Sequence, residues 1–314
     1  MFDAQIRFAR SSFRHTHPMN RRRFSLLAIF LLGAVALFGQ TSPLSPSGQS
    51  LTAVFWNIRW FPGGRPNAYR GEETKQIRSV RRDIALLDAD LIGLEEVRDF
   101  PSATLAVQPL AGFKVDVCSN FPPREGQTET QQVAITSRLQ PMSAWAELWK
   151  PGRAITPPRG FAFAAYQIGP RQLLLVYAVH LKSNRGELVE DVAIRTESML
   201  QLVSHMKAME EAYGKLGSIS WIVGGDFNTA PDDPRFKGEK TVSTLTGDGF
   251  LWAWQNIPFA ERTTMPPDKR YPAASFDHIF YRGATLKRAD VLPTSPDSSD
   301  HRAIRGVFDL PVTR

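Results

Sequence analysis

A single cysteine, Cys118, stands in the 314-residue chain, so no intramolecular disulfide can form. No Cys/His spacing of a zinc module and no internal repeat is present, which excludes disulfide scaffolds, zinc fingers and solenoids. The thiol has no base beside it in sequence and reads as packing on a strand over Phe113 to Cys118. Excess charge is scarce as well, although the pI of about 9.7 and the net charge of +7 give another impression. Six of the 38 basic residues and one of the 31 acidic ones precede residue 51, so the chain from there onward is within two charges of balance. The basicity therefore describes the leader and does not argue for bulk attraction to nucleic acid.

Long apolar runs are absent except at the start. Arg21-Arg22-Arg23-Phe24-Ser25-Leu26 opens an apolar stretch that ends near Gly39. A basic n-region, a short h-region and an Arg-Arg-x-Phe-x-Leu pattern read as a twin-arginine export signal over 1–39, sending the protein to the periplasm or the medium. The competing reading is an uncleaved anchor formed by residues 24–39. Cleavage is expected after Ala36 or Gly39, and Met19 is an alternative start. Residues 40–50, rich in Ser, Pro and Gly, form a linker, and 51–314 are enough for one domain with a substantial core.

In that domain, helical periodicity runs over Glu72 to Leu87, with Ile77, Val80, Ile84 and Leu87 as the stripe. A second helix is predicted over Glu187 to Tyr213, with Leu188, Val192, Ile194, Met199, Leu202, Val203 and Met206. Short apolar strands are predicted at Leu51 to Trp56, Asp90 to Leu94, Val133 to Ser137, Ala162 to Ile168, Leu173 to Val179, Ile219 to Val223, Phe276 to Tyr281 and Ala303 to Phe308. Gly169-Pro170-Arg171 suits a hairpin. Strands outnumber helices, so the expected architecture is two mixed sheets packed face to face with helices outside, an α/β class.

Polar groups recur where apolar runs stop. Trp221-Ile222-Val223-Gly224-Gly225 runs into Asp226 and Asn228, two residues apart and so on one side of an extended chain. Val54-Phe55-Trp56 ends on Asn57, Leu91 to Leu94 on Glu95 and Glu96, and Leu173 to Val179 on His180. Asp277 lies in a short strand, and Asp300-His301 precedes the last one. Any one of these reads equally well as a turn residue or a satisfied core histidine. Six of them at one end of one core would assemble carboxylates, amides and imidazoles into a site. An acid and an amide presented together suit a hard cation or a phosphoryl oxygen.

The ordered set Phe55-Trp56-Asn57-Ile58-Arg59, Leu94-Glu95-Glu96-Val97-Arg98-Asp99, His180-Leu181-Lys182-Ser183-Asn184, Gly225-Asp226-Phe227-Asn228, Phe276-Asp277-His278-Ile279 and Ser299-Asp300-His301 resembles the endonuclease/exonuclease/phosphatase superfamily. Its deoxyribonuclease I-like and secreted bacterial nuclease branches are the most similar, over roughly residues 53 to 308. The resemblance implies a four-layered α/β sandwich and hydrolysis of phosphoesters with a divalent metal, Mg²⁺ or Mn²⁺. It makes Asn57 and Glu96 metal-site residues, with Asp300 a further metal or water contact. It makes His180 and His301 the catalytic histidines, the second oriented by Asp277, and Asp226 with Asn228 the pair that positions nucleophile and phosphate. Glu95 departs from the family, which commonly has Gln there. A carboxylate partner of His180 is expected near Glu129 to Gln132.

The chemistry agrees with those roles. A phosphodiester is anionic and has a poor leaving group, so a catalyst must neutralise charge, activate water and stabilise the departing oxygen. An Asp-His couple does the second of these, and His180 is placed to do the third. Arg98 and Asn184, with Arg59, Lys182 and Arg185, are candidate contacts to substrate phosphates, against the common reading of solvated charges. Trp56 and Trp60 read as packing rather than base-stacking platforms. The substrate expected of a monomeric enzyme of this kind is DNA or RNA. A phosphatase or phospholipase C-like hydrolase of a small or lipid phosphate is the alternative, and an inactive binding protein on the same fold a third reading.

Overall fold

The computed structural model describes residues 50–123, 130–152 and 155–311. The export signal or anchor over 1–39, and the linker apart from Ser50, lie outside the described residues. Ser50 already belongs to the first strand, one residue earlier than the linker boundary expected from composition.

Two mixed sheets of six strands carry the fold. The first contains β1 (Ser50–Phe61), β2 (Leu91–Val97), β3 (Lys114–Cys118), β4 (Gln132–Ser137), and later in the chain β11 (Thr285–Leu292) and β12 (Ala303–Asp309). The second contains β5 (Pro141–Leu148), β6 (Gly160–Gly169), β7 (Gln172–His180), β8 (Ser218–Asp226), β9 (Leu251–Trp252) and β10 (Asp277–Arg282). The strand orders are β11-β12-β1-β2-β4-β3 and β5-β6-β7-β8-β10-β9. Helices α1 (Arg70–Ile84) and α2 (Phe100–Val107) belong to the first half, and α3 (Leu188–Tyr213) and α4 (Thr241–Gly247) to the second. The expected four-layered sandwich is what forms.

Three apolar clusters define the layers. Leu51, Phe55, Ile135, Ala164, Leu174, Val176, Ile222 and Phe308 fill the space between the sheets. Phe163, Leu175, Tyr177, Met199, Leu202, Met206 and Trp221 join the second sheet to α3, and Val54, Trp56, Val80, Ile84, Ile92 and Ala106 join the first sheet to α1 and α2. All nine residues of β7 are buried, so it reads as an unbroken apolar run rather than an alternation. Phe55 is the tightest contact between the sheets. It pairs in register with Gly93 of β2, and a methyl group on Gly93 or on Gly224 of β8 would lie 2.4 or 2.3 Å from its ring.

Helix α3 departs from the predicted stripe in its first half. Leu188 is exposed, and the buried positions there are Asp191, Arg195 and Ser198, followed by Met199, Leu202, Val203 and Met206. These seven keep helical spacing, so the inward face begins polar and becomes apolar. Cys118 ends β3 only partly buried, with burial pushing its thiol up to about 12, which keeps it protonated. No helix among the described residues is long and apolar enough to cross a membrane.

Candidate active site

Topology sends the polar strand ends to one place. The parallel pairs β1/β2 and β7/β8 finish at the same end, and β12 and β10, antiparallel to β1 and β8, begin there. His180 faces Asp226 in register across β7 and β8, and Asp277 faces Asp226 across β8 and β10. Asn57 and Glu96 come from the other sheet. Glu96 sits at a bulge in β2 with φ of +61°, which breaks the alternation so that Glu95 is fully buried while Glu96 reaches the site. Arg59 and Trp60 at the end of β1 have φ of +47° and +44°. Left-handed backbone at a residue with a side chain costs roughly 1–2 kcal/mol, so the surrounding contacts must hold it. They do: Arg59 N donates to Asn57 Oδ1 at 3.0 Å and Trp60 N to Glu96 Oε2 at 3.0 Å.

Three side chains converge on one oxygen. Asn57 Nδ2 donates to Asp226 Oδ2 at 3.1 Å and to Glu96 Oε1 at 3.2 Å, linking the two sheets. His180 Nε2 lies 3.6 Å from both of those carboxylates, and His301 Nε2 lies 3.8 Å from Asp226 Oδ2. Behind His301, Nδ1 is 2.9 Å from Asp277 Oδ2, so that carboxylate fixes the ring and leaves Nε2 facing Asp226. The loop carrying His301 is fastened to β1: Ser299 Oγ donates to Asn57 O at 2.7 Å, and Trp56 Nε1 to His301 O at 3.0 Å. Ligand-type atoms of Asp226, Asp277 and His301 all fall within 4.8 Å of one another.

Burial sets the electrostatics. It raises the Asp226 carboxyl to about 7, with His301 pulling it down and Asp277 pushing it up. For His301, burial disfavours the charged ring, yet the fields of Asp277 and Asp226 prevail and hold it well above the usual imidazole range. Glu95 is buried beneath this group. Desolvation first, then Asp277 and Asp226, push its carboxyl well above the usual range, and neither of its oxygens has a hydrogen-bond partner among the described residues. Gly225 borders it: with φ of +131°, a Cβ there would lie 2.1 Å from Val179 O and 2.9 Å from Glu95 Oε1.

The other expected residues sit around this centre. Asn228, at φ of +53°, donates its backbone N–H to Asp226 Oδ1 at 2.9 Å and its side-chain amide to Leu181 O at 3.1 Å. Asp300 is 3.5 Å from Arg59 at the exposed rim. Arg98 donates to Glu73 at 2.6 Å and to Pro62 O, while lining a crevice with Trp60 and Glu96. Asn184 donates to Asn228 O and accepts from Arg195, both at 2.7 Å, so its two polar atoms face protein. Lys182 pairs with Asp191, and Arg185 is exposed. Trp56 is buried in the core; Trp60 lines the crevice. His278 points away from the site, as strand alternation requires, and binds Thr229 O at 2.7 Å.

Sequence patterns gave no notice of several supports. Thr264 Oγ1 accepts from Phe276 N at 3.1 Å, next to Asp277, and Arg159 donates to the carbonyls of His180 and Leu181. Neither belongs to a strand-end motif, and a polar residue in a loop carries no periodic signal. Of the segment expected to hold a carboxylate partner of His180, Glu129 lies outside the described residues, and Gln131 and Gln132 are amides that bind Arg159 and Ser119.

Solved structures share this architecture. An endonuclease/exonuclease/phosphatase family protein of Bacteroides thetaiotaomicron aligns with a TM-score of 0.61 at 16% identity, covering 85% of this chain and 98% of its own. An endonuclease/exonuclease/phosphatase of Beutenbergia cavernae gives 0.58 at 18% identity, with 83% and 72% covered. D. rerio TDP2, solved with a single-strand DNA product, gives 0.57 at 16% identity, with 82% and 98% covered. No curated protein matches the sequence. Such identities show the fold alone, but the sequence pattern of the Endonuclease/Exonuclease/phosphatase family matches residues 54–301, most of the chain, and the protein therefore belongs to that family.

Proposed function

We propose that this protein is an exported, divalent-metal-dependent phosphodiesterase whose substrate is a nucleic acid strand. The observation that carries the reading is the convergence of Asn57, His180 and His301 on Asp226 Oδ2, with Asp277 behind His301. The export signal is the sequence argument for location, and the DNA product bound to the D. rerio TDP2 relative favours a nucleic acid over a small phosphate.

A hard dication fits the donor set. Glu96 and Asp226 are carboxylates brought together by the single amide group of Asn57, whose oxygen is a further donor. Glu96 and Asn57 would hold Mg²⁺ or Mn²⁺, and Asp300 would contact it or its water. The ion supplies positive charge against the phosphate.

The chain's own residues do the rest. Asp277 holds the His301 ring so that Nε2 faces the place where water must sit, beside Asp226. The carboxylates of Asp277 and Asp226 favour the charged imidazolium, so a proton taken up at Nε2 is stabilised on the ring. Asp226 and Asn228 orient that water and the phosphate through an acceptor and an N–H donor. His180 Nε2, 3.6 Å from Asp226 Oδ2, stabilises the departing oxygen.

The test incubates purified residues 41–314 with supercoiled plasmid, single-stranded DNA, single-stranded RNA and a panel of phosphomonoesters, with and without EDTA. Strand cleavage that disappears in EDTA and in His180→Ala supports the reading. Phosphate release with every strand intact would shift it to a phosphatase, and metal binding without turnover to a binding protein. Export is tested by fusing residues 1–39 to a reporter and exchanging Arg21-Arg22-Arg23 for lysines.

A further inference from the structure

The polar start of the inward face of α3 contacts the segment that follows β7 and leads from there to the site. We propose that Asn184 and Arg195 are positioning residues that fix Asn228, rather than contacts to substrate; this rests on the phosphodiesterase reading. Arg195 is fully buried and bound bidentately by Glu239, with both contacts at 2.8 Å, and its guanidinium lies 5.4 Å from the Phe236 ring centre. Its Nη1 donates to Lys182 O at 3.0 Å and to Asn184 Oδ1 at 2.7 Å. A guanidinium has donors only, so it can face only the oxygen of the Asn184 amide. The nitrogen is thereby turned to Asn228 O, 2.7 Å away.

The relay ends on two working groups. The backbone of Asn228 is held at its oxygen by Asn184 and at its nitrogen by Asp226 Oδ1, so a rotation of this segment displaces both Asp226 and the Asn228 side chain. The Asn228 amide spends one hydrogen on Leu181 O, which leaves the other for a phosphoryl oxygen. The left-handed backbone at Asn228 must be held by its neighbours, and Asn184 is one of them. A buried Arg–Glu pair is a poor source of net stability, because desolvation offsets the attraction. Its service here is geometric: a charge that cannot move, placed behind an amide that must not flip.

Asn184→Asp separates this role from the alternatives. It removes the donor to Asn228 O but gives Arg195 a second carboxylate, so the fold is kept. The expected result is a melting temperature close to and no higher than the parent's, a kcat on single-stranded DNA lowered by roughly 10–100-fold and a KM within about twofold. The Asn228 backbone amide resonance shifts at the same time. Arg195→Lys, which cannot serve Glu239 and Asn184 together, gives the same kcat loss, and the double variant loses no more than the worse single one. A raised KM with kcat intact would make Asn184 a substrate contact and overturn the proposal, as would unchanged kinetics or additive losses. If Arg195→Lys does not fold, Asn184→Asp decides alone. A wild-type protein that cleaves no phosphodiester removes the parent reading instead, and an unmoved Asn228 resonance in Asn184→Asp then overturns the relay on its own.

Discussion

His180 and Asp226 end two parallel strands in register, and their side chains meet 3.6 Å apart. Parallel pairing makes this possible, because both strands deliver their last residue to the same edge. The Leu181 N–H closes the arrangement by donating to Asp226 O at 2.8 Å. Imidazole and carboxylate are thus held by backbone as well as by side-chain contacts, and the behaviour of variants at the site depends on that rigidity.

His301 and Asp277 act as a unit. His301→Ala is expected to lower kcat on single-stranded DNA by about 10²–10⁴-fold, with circular dichroism and melting temperature close to the parent. Asp277→Asn leaves the ring in place without the charge behind it and gives a smaller loss. The double variant is no worse than His301→Ala, which steady-state kinetics of the three proteins will check.

Glu96→Gln keeps the shape of the side chain and removes its charge. Activity titrated with Mg²⁺ should need about 10–100-fold more metal to reach half its maximum, while chelation abolishes turnover in both proteins and added Mn²⁺ or Mg²⁺ restores it. Calorimetric titration of the metal-free protein with Mn²⁺ reads the same loss without relying on turnover.

His278 links stability to pH. Burial lowers its pKa to about 4, whereas an unfolded chain has it near 6.5, so between these values the unfolded state binds the extra proton. Its contribution is fully present above about pH 6.5 and is lost as pH falls toward 4, by about 3 kcal/mol in all. Urea denaturation at pH 8 and at pH 5 should show a drop that is smaller in His278→Gln, in which the amide retains the contact to Thr229 O.

Gly225→Ala should be the most damaging single methyl addition near the site. A Cβ there meets Val179 O at 2.1 Å and requires a left-handed backbone. A loss of about 3 kcal/mol is expected in chemical denaturation. Gly247→Ala, whose added methyl meets nothing within 4 Å, is the control.

The fold was legible where apolar runs were long. β7 and β8 announce themselves because both faces are buried, and the hairpin between β6 and β7 follows from Gly169-Pro170-Arg171. β5, β9 and β11 left weaker traces. β11 is mostly exposed and carries Lys287, Arg288 and Asp290, and β9 has two residues. The short α2 depends on a cap, Asp99 accepting from Ser102 N, rather than on a stripe. At the site, the strand-end polar residues stand out in sequence because apolar runs stop at them. Arg195 was hidden for the opposite reason: periodicity counts apolar residues, and the inward face of α3 begins with charged ones.

Phe55 has a consequence for the chemistry that its position in the core conceals. Asn57 and Glu96 ride on one sheet, and His180, Asp226 and Asp277 on the other, so the working distances are set by how far apart the two sheets are held. The ring of Phe55, seated against Gly93 and Gly224, is the shim between them, with Asn57 two residues further along β1 and Asp226 two residues beyond Gly224 on β8. A smaller side chain there would let the jaws close, a bulkier one would pry them open, and either would detune the enzyme without touching a catalytic atom.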